Sequence, residues 1–548
     1  MSSINGEAAS SPDAQTVAMD TKRIVAEDRG QGGCHVDGSA EGGEERAMAM
    51  AVVTATSKKP SKEDQFDGGS INPLLLISAR LGSLEALNVF LKREDAQIPP
   101  MMIHTPELFE LVVRERNSDE GKSVASAARD VEAGVDHQPA PPLAAGALLK
   151  GVTPVGDTAL HVVAHARNGD VSNFLKYASI IYDRDSDLLF AKNHRGDTPL
   201  HCAARAGNFE MVSHLIDLAG CENKLKLLRM ENKVKETALH QAIRFEYGRI
   251  LGPKDREALF QADPGTAEKI ITLDFVDQLQ GMNIVKKLMG DDPRLACYPE
   301  DGISPLYLAI LLGKSTIALT LYHASGGNLS YCGEDGQNAL HVAVLREEVM
   351  VELLLHWDKS LTTQVDKYGR TPLHSASAVF VSFPAFYQVF KANCAALYQA
   401  DNEGLFPIHV AACGGDKVAI AFFLLKCPDS AGLRDAKGKT FLHVAIEQGE
   451  LDIVSYVCGN PCVAWILNMQ DNDGNTALHL AIQARKFRMF CALFGNRKVD
   501  LNLTNNQGET PRDISISNIP RGMAPLTNTE NLINRALSCV VANRGTLR

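Results

Sequence analysis

Residues 196–208 read GDTPLHCAARAGN, and the same string returns along the chain with its glycine, its Leu-His pair and its small residues in register. It stands as GDTALHVVA from Gly156, KETALHQAI from Lys235, GISPLYLAILLGK from Gly302, GQNALHVAV from Gly336 and GRTPLHSAS from Gly369. Further on come GLFPIHVAACGGD from Gly404, GKTFLHVAIEQGE from Gly438, GNTALHLAI from Gly474 and a worn GETPRDI from Gly508, while a weaker INPLLLISARLGS begins at Ile71. From Gly302 to Gly508 the starts lie 34, 33, 35, 34, 36 and 34 residues apart. Each copy is followed by a second apolar pattern at helical spacing, as in FEMVSHLIDLA from Phe209 and LDIVSYVCG from Leu451. Each unit therefore predicts two antiparallel helices and a turn.

A period near 33 residues carrying T-P-L-H and a following Ala is the ankyrin repeat. The expected fold is all-α, an ankyrin-repeat solenoid of stacked helix-turn-helix units with projecting loops. The consensus has a physical reading. Thr198 is placed to cap a helix, and Pro199 sits in its first turn, where a missing N–H costs nothing. Leu200, Ala203 and Ala204 form an inner face whose small residues let neighbouring helices approach. Gly207 falls where that helix must end in a left-handed conformation, and Gly369, Gly438 and Gly474 suit the tight turn of a finger-like loop. The histidines of the Leu-His pairs, His161, His201, His240, His341, His374, His409, His443 and His479, form a ladder. Successive copies sit a whole unit apart, about 10 Å, and cannot converge at about 2.1 Å on one metal ion. Their ring nitrogens are expected to tie turn and backbone groups of adjacent repeats.

Composition narrows the function. Of 548 residues, 45% are apolar and 22% charged, which fits a core-forming chain. Lys and Arg number 55 against 66 Asp and Glu, a net charge of −11, which argues against nucleic acid as the main partner. Twelve scattered Cys suggest no disulfide framework. No basic segment followed by an apolar stretch marks a secretory signal, and the longest apolar runs, such as VAIAFFLL from Val418, fall far below the length of about 20 residues a membrane span requires.

Irregularities in the repeat divide the chain. Residues 1–69 are polar, acidic and rich in Gly, Ala and Ser, and are expected to be disordered. Residues 70–116 hold a degenerate first unit, 117–147 read as a linker that splits it from the rest, 148–515 are the main array, and 516–548 are a short tail. Between His240 and Tyr307 lie 67 residues where one period would be about 34. Either a whole unit has degenerated there or a loop of about 33 residues is inserted; we expect the insertion, over 247–281, with MNIVKKLMGDDPRLA from Met282 supplying the partner helix. The aromatic run SAVFVSFPAFYQVF brings Phe380, Phe383, Phe386, Tyr387 and Phe390 within eleven positions. Most should be core; two or more facing outward would make an anchor patch.

Enzymatic signatures fail. LLGKST at 311–316 contains the end of a phosphate loop, but Leu308 stands where the first glycine is required. The spacing in CGNPC at 458–462 is wrong for zinc. No nucleophile elbow, zinc-protease helix, kinase string or dinucleotide fingerprint occurs in context. The expectation is a chain that is not an enzyme and holds no cofactor, metal or small-molecule substrate.

Longer strings are more specific than the consensus. SIIYDRDSDLLFAKNHRGDTPLHCAARAGN from Ser179, ETALHQAIRFE from Glu236, DGISPLYLAILLGKSTIALTLY from Asp301 and DGQNALHVAVLR from Asp335 resemble the accelerated-cell-death group of plant ankyrin proteins. The resemblance runs from roughly Gly151 to Asp513. It implies a role in defence signalling, salicylic-acid responses and control of cell death. Members of that group also carry a C-terminal membrane domain opening near a Pro-Gly-Gly motif, and some are described as ion-channel-like. After Gly508 this sequence has only a Pro- and Asn-containing stretch and NLINRALSCVV from Asn531, so the expectation is a chain without that membrane half, cytoplasmic as it stands, or at the plasma membrane when assembled with membrane-spanning relatives. The expected partner is a protein bound on the concave surface, through the loop tips at His194, Arg195, Glu334, Lys367, Tyr368, Arg370, Asn402, Glu403, Lys437, Asn472 and Asp473.

Overall fold

A computed structural model describes residues 69–95, 148–166, 170–245, 281–346, 348–378, 382–518 and 529–545. These belong to one compact unit that spans Gln65–Arg548. The expected disordered head 1–69 lies outside the described residues but for Gly69, as do the linker 117–147 and, but for Gly281, the insertion 247–281. Phe380 lies outside them too.

Two layers of short helices run through this unit. The inner layer comprises Ala159–Ala164, Pro199–Ala206, Ala238–Arg244, Pro305–Leu311, Ala339–Arg346, Pro372–Ser377, Pro407–Gly414, Phe441–Gln448, Ala477–Gln483 and Pro511–Ser517, each packed on the next. Their small residues, among them Ala203, Ala204, Ala242, Ala309, Ala343, Ala411, Ala445 and Ala481, are buried. Without a Cβ branch at these positions the helices approach closely, which is why the consensus keeps Ala there. Gly207, Gly415 and Gly449 end their helices in the left-handed region at φ 71, 74 and 99°. The outer layer includes Val171–Arg184, Phe209–Leu228 broken at Gly220, 281–291, Ser315–Ala324, Lys417–Lys426 and Phe487–Phe494. No β-strand occurs among the described residues, only isolated bridges.

Histidine sets the start of nearly every inner helix. In the repeat of Pro199–Ala206 the Thr198 N–H and hydroxyl donate to His201 Nδ1 at 3.2 and 2.8 Å. With Nδ1 the acceptor, Nε2–H is the donor, and it reaches the carbonyl of Glu236 in the next repeat at 3.0 Å. The same bond runs from His161 to Asp197, His240 to Ile303, His341 to Arg370, His374 to Leu405, His409 to Lys439, His443 to Asn475 and His479 to Glu509, at 2.8–3.2 Å. Each ring thus closes its own helix and holds the next loop.

The stack continues where the sequence pattern lapses. Pro73–Leu81 packs on Ala159–Ala164. Ile71 N donates to Val152 O and Val152 N to Gly69 O, at 3.0 and 2.9 Å, across a parallel bridge between Ser70 and Val152; Ser78 Oγ meets the Tyr177 hydroxyl at 2.8 Å, and Leu148 N donates to the buried Glu94 carboxylate at 3.0 Å. Fifty-odd residues separate the weak unit from the array along the chain but not in space. On the far side of residues 246–280, Pro305–Leu311 packs directly on Ala238–Arg244. At the C-terminus, Thr529–Gly545 packs on Pro511–Ser517 and Phe487–Phe494 and buries Ile533 and Leu537. The stretch read as a tail therefore contains an outer helix for the worn last unit. That unit starts well because Asp513 replaces the histidine, its carboxylate accepting from the Thr510 N–H and hydroxyl at 2.9 and 2.7 Å.

The described rings of the aromatic run pack inward on the next unit. Phe386 and Phe390 are buried, while Phe383 and Tyr387 are half-buried. Phe422 meets all four rings edge-on at 5.1–5.9 Å. No two described rings of the run face outward as an anchor patch.

Candidate functional surface

The loops between repeats project as fingers, and one short side chain shapes each of them. An Asp or Asn at the base accepts two N–H groups of its own loop. Asn193 takes those of Arg195 and Asp197, Asp366 those of Tyr368 and Arg370, Asp401 those of Glu403 and Leu405, and Asp471 those of Asp473 and Asn475, at 2.8–3.0 Å. A glycine two residues before the helix N-cap, which is Thr in every case but Phe406, then turns the chain back, at φ 73–82° for Gly156, Gly196, Gly369, Gly404, Gly438 and Gly474. Fingers are joined to one another by the backbone. His194 N donates to Val155 O, Lys233 to Arg195, Lys367 to Asp335, Asn402 to Tyr368, Asn472 to Lys437 and Asn506 to Asp473, at 2.7–3.1 Å. The tips form a row along the array.

The eleven tip residues named from the sequence divide by what their side chains do. His194, Arg195, Glu334, Glu403, Lys437 and Asp473 are exposed. Asn402 and Asn472 are exposed too, but their amides donate back to Lys367 O and Ala436 O at 3.0 and 3.1 Å, so they stitch fingers together. Lys367 pairs with Asp335 at 2.6 Å and lies over the Tyr368 ring. Arg370 is half-buried, 3.4 Å from the Asp401 carboxylate, and its guanidinium lies over the Tyr368 ring at 5.4 Å.

At the finger bases a polar chain runs across the inner surface. Arg205 donates to Asp197 and Gln241 at 2.6 and 2.8 Å, Gln241 to Glu236 at 2.7 Å, and Arg244 to Glu236 at 2.9 Å. Burial would raise the Asp197 carboxyl, but hydrogen bonds from Asn232 and Arg205 hold it below its ordinary value. Burial pushes the ladder histidines down, His201 and His240 to about 4, and keeps them neutral. The Lys314 ammonium of the GKST string donates to the carbonyls of Ile243 and Phe245 at 2.5 and 3.0 Å, in the turn before Ser315–Ala324. Among the described residues no group of three or more His, Cys, Asp and Glu could hold a metal, and no helix is long and apolar enough to cross a membrane.

Lys192, Lys233, Val234 and Lys235 were not singled out from the sequence, yet all four stand exposed on the first fingers. The signal was present: KVKET carries Lys235 where other repeats carry glycine.

The family model for ankyrin repeats in three copies matches residues 143–226, 160–252, 385–462 and 408–505. The fold of this chain is an array of ankyrin repeats. Among curated proteins it is 26% identical over 366 residues to Protein ACCELERATED CELL DEATH 6 of Arabidopsis thaliana, covering 60% of this chain and 52% of that one. It is 27% identical over 156 residues to Rabankyrin-5 of Mus musculus, covering 28% and 13%. The chain thus spans about half the length of the plant relative. The ankyrin repeat domain of Bcl-3, a member of the IkappaB family, aligns with a TM-score of 0.34 at 22% identity over 42% of this chain and 98% of that domain. No catalytic family is indicated among these matches.

Proposed function

We propose that this chain is a non-enzymatic adaptor that binds a protein partner along its finger tips and inner helices, in plant defence or cell-death signalling. The observation that carries it is the row of exposed tips held in fixed register by finger-to-finger backbone bonds. Such a row is already ordered before it binds, so little ordering entropy opposes association, and repeat arrays use extended surfaces of this kind for recognition. Identity to a protein named for accelerated cell death supports the signalling context. The test is affinity capture with the full chain. Glu403→Lys with Lys437→Glu reverses two exposed tips and is expected to abolish capture without moving the melting temperature, while Lys426→Glu on an outer helix leaves capture intact. Equal capture by all three proteins would refute a finger-borne site.

A second reading is that the chain regulates a membrane-spanning, channel-like relative from the cytoplasmic side, which the alignment to half of the plant relative supports. Co-expression with such a relative should then move this chain into the membrane fraction. Unchanged fractionation counts against it.

A further inference from the structure

We infer that the two fingers at residues 192–196 and 231–236 are the docking surface for an acidic, extended peptide segment of a partner protein, with an apolar side chain set between its carboxylates. This rests on the protein-binding reading above and adds the chemistry of the partner.

Three observations converge here. The first is charge. Lys192, Arg195, Lys233 and Lys235 are exposed on neighbouring fingers joined by the Lys233 N–H to Arg195 O bond of 3.0 Å and by Lys192 Nζ on Glu231 O at 2.9 Å. Arg195 and Lys233 form no ion pair with any described residue, and Lys235 reaches only Asp301, at 3.9 Å, whose side chain is 91% exposed. The acids at the finger bases, Asp197 and Glu236, are engaged by Arg205 and Arg244. In a chain of net charge −11, these cations gather against the overall sign.

The second is apolar exposure. Val234, between two of the lysines, is 71% exposed, more than any other large apolar side chain described. The third is strain. Lys235 adopts φ 59° at the position where Gly156, Gly196, Gly369, Gly404, Gly438 and Gly474 stand at 73–82°. A side chain in the left-handed region is disfavoured by contact of its Cβ with the following carbonyl, and glycine would relieve it, as the other fingers do. Strain held at a surface turn is accounted for by what the side chain presents, and here that is a fourth cation beside Val234.

Register gives the partner its form. Stacked inner helices lie about 8–10 Å apart, and a chain in the extended polyproline II form has three residues per turn and rises about 3.1 Å per residue. A carboxylate at every third position therefore recurs on one face about every 9 Å and meets successive fingers, and an intervening apolar side chain reaches Val234.

The test is fluorescence anisotropy of the full chain with a labelled nine-residue peptide carrying Glu at every third position and Leu between, against its Gln counterpart. The Glu peptide should bind at least about tenfold more tightly, with affinity falling as salt rises. Arg195→Glu with Lys233→Glu should weaken it by about tenfold or more at unchanged melting temperature. Lys235→Gly should weaken it severalfold while raising the melting temperature, a combination that a purely structural Lys235 would not give. Equal binding of the two peptides, or unchanged affinity in the double reversal or in Lys235→Gly, overturns the inference. So does a concentration-dependent dimer, seen by sedimentation and abolished by the double reversal, that binds neither peptide; it would assign these fingers to a second copy of the chain. If both peptides fail while capture through the Glu403 and Lys437 fingers persists, this inference falls and the general reading stands.

Discussion

His201 accepts from its own Thr198 and donates to Glu236 O one repeat away, and with 0% exposure it can do so only as the neutral ring. A proton on Nδ1 would remove the acceptor that closes the helix. The linkage sign follows from the depressed pKa: the unfolded histidine titrates near 6.5 and the native one lower, near 4 for His201 and His240. Stability is therefore full above about pH 6.5 and falls as pH drops toward about 4, by about 1.4 kcal/mol per pH unit for each such histidine. Urea unfolding followed at pH 7 and pH 5 should show a much lower midpoint at pH 5; equal midpoints would mean that the native rings carry charge. His374→Ala leaves the Thr371 N–H and Leu405 O without that partner and should cost about 2–3 kcal/mol. His161 and His479, which make the same pair of bonds, should behave alike.

At the scale of the element, finger and helix depend on the same few torsions. A Cβ on Gly369, at φ +77°, would lie 2.5 Å from Asn402 Oδ1 and 2.9 Å from its backbone N. Gly369→Ala should therefore lose about 1–2 kcal/mol from the left-handed torsion alone, and more from the clash. Hydrogen exchange at Asn402 N, bonded to Tyr368 O, should rise first. Asn472→Ala removes the amide stitch to Ala436 O and should cost about 1 kcal/mol. The consensus glycines were readable from the sequence because glycine takes that torsion without strain. The asparagine stitches were not, because an exposed Asn at a tip looks the same whether it points at solvent or back at a carbonyl.

For the array as a whole, energy is passed between neighbours. Ile533 and Leu537 of Thr529–Gly545 cover the last inner helix, and removal of residues 519–548 should lower protection against hydrogen exchange in Ala477–Ser517 while leaving Ala159–Arg244 unchanged. A uniform loss along the array would contradict nearest-neighbour energetics. The weak first unit makes the complementary case: its Ser78 hydroxyl bonds Tyr177 of the second, so Tyr177→Phe should loosen Pro73–Leu81 before any other helix.

The sequence by itself determined the repeat, its period, the two helices of each unit and the tying role of its histidine ladder, because these follow from local torsions, caps and spacing repeated many times over. Only the tertiary structure decided what lies next to what. It put residues 71–95 on the array, set Pro305–Leu311 against Ala238–Arg244 and gave the worn last unit its outer helix, because contacts between units distant in sequence leave no periodic trace. It also separated tips that face solvent from tips tied to a neighbour, since that depends on whether a carbonyl or a carboxylate of the adjacent finger lies within hydrogen-bond reach.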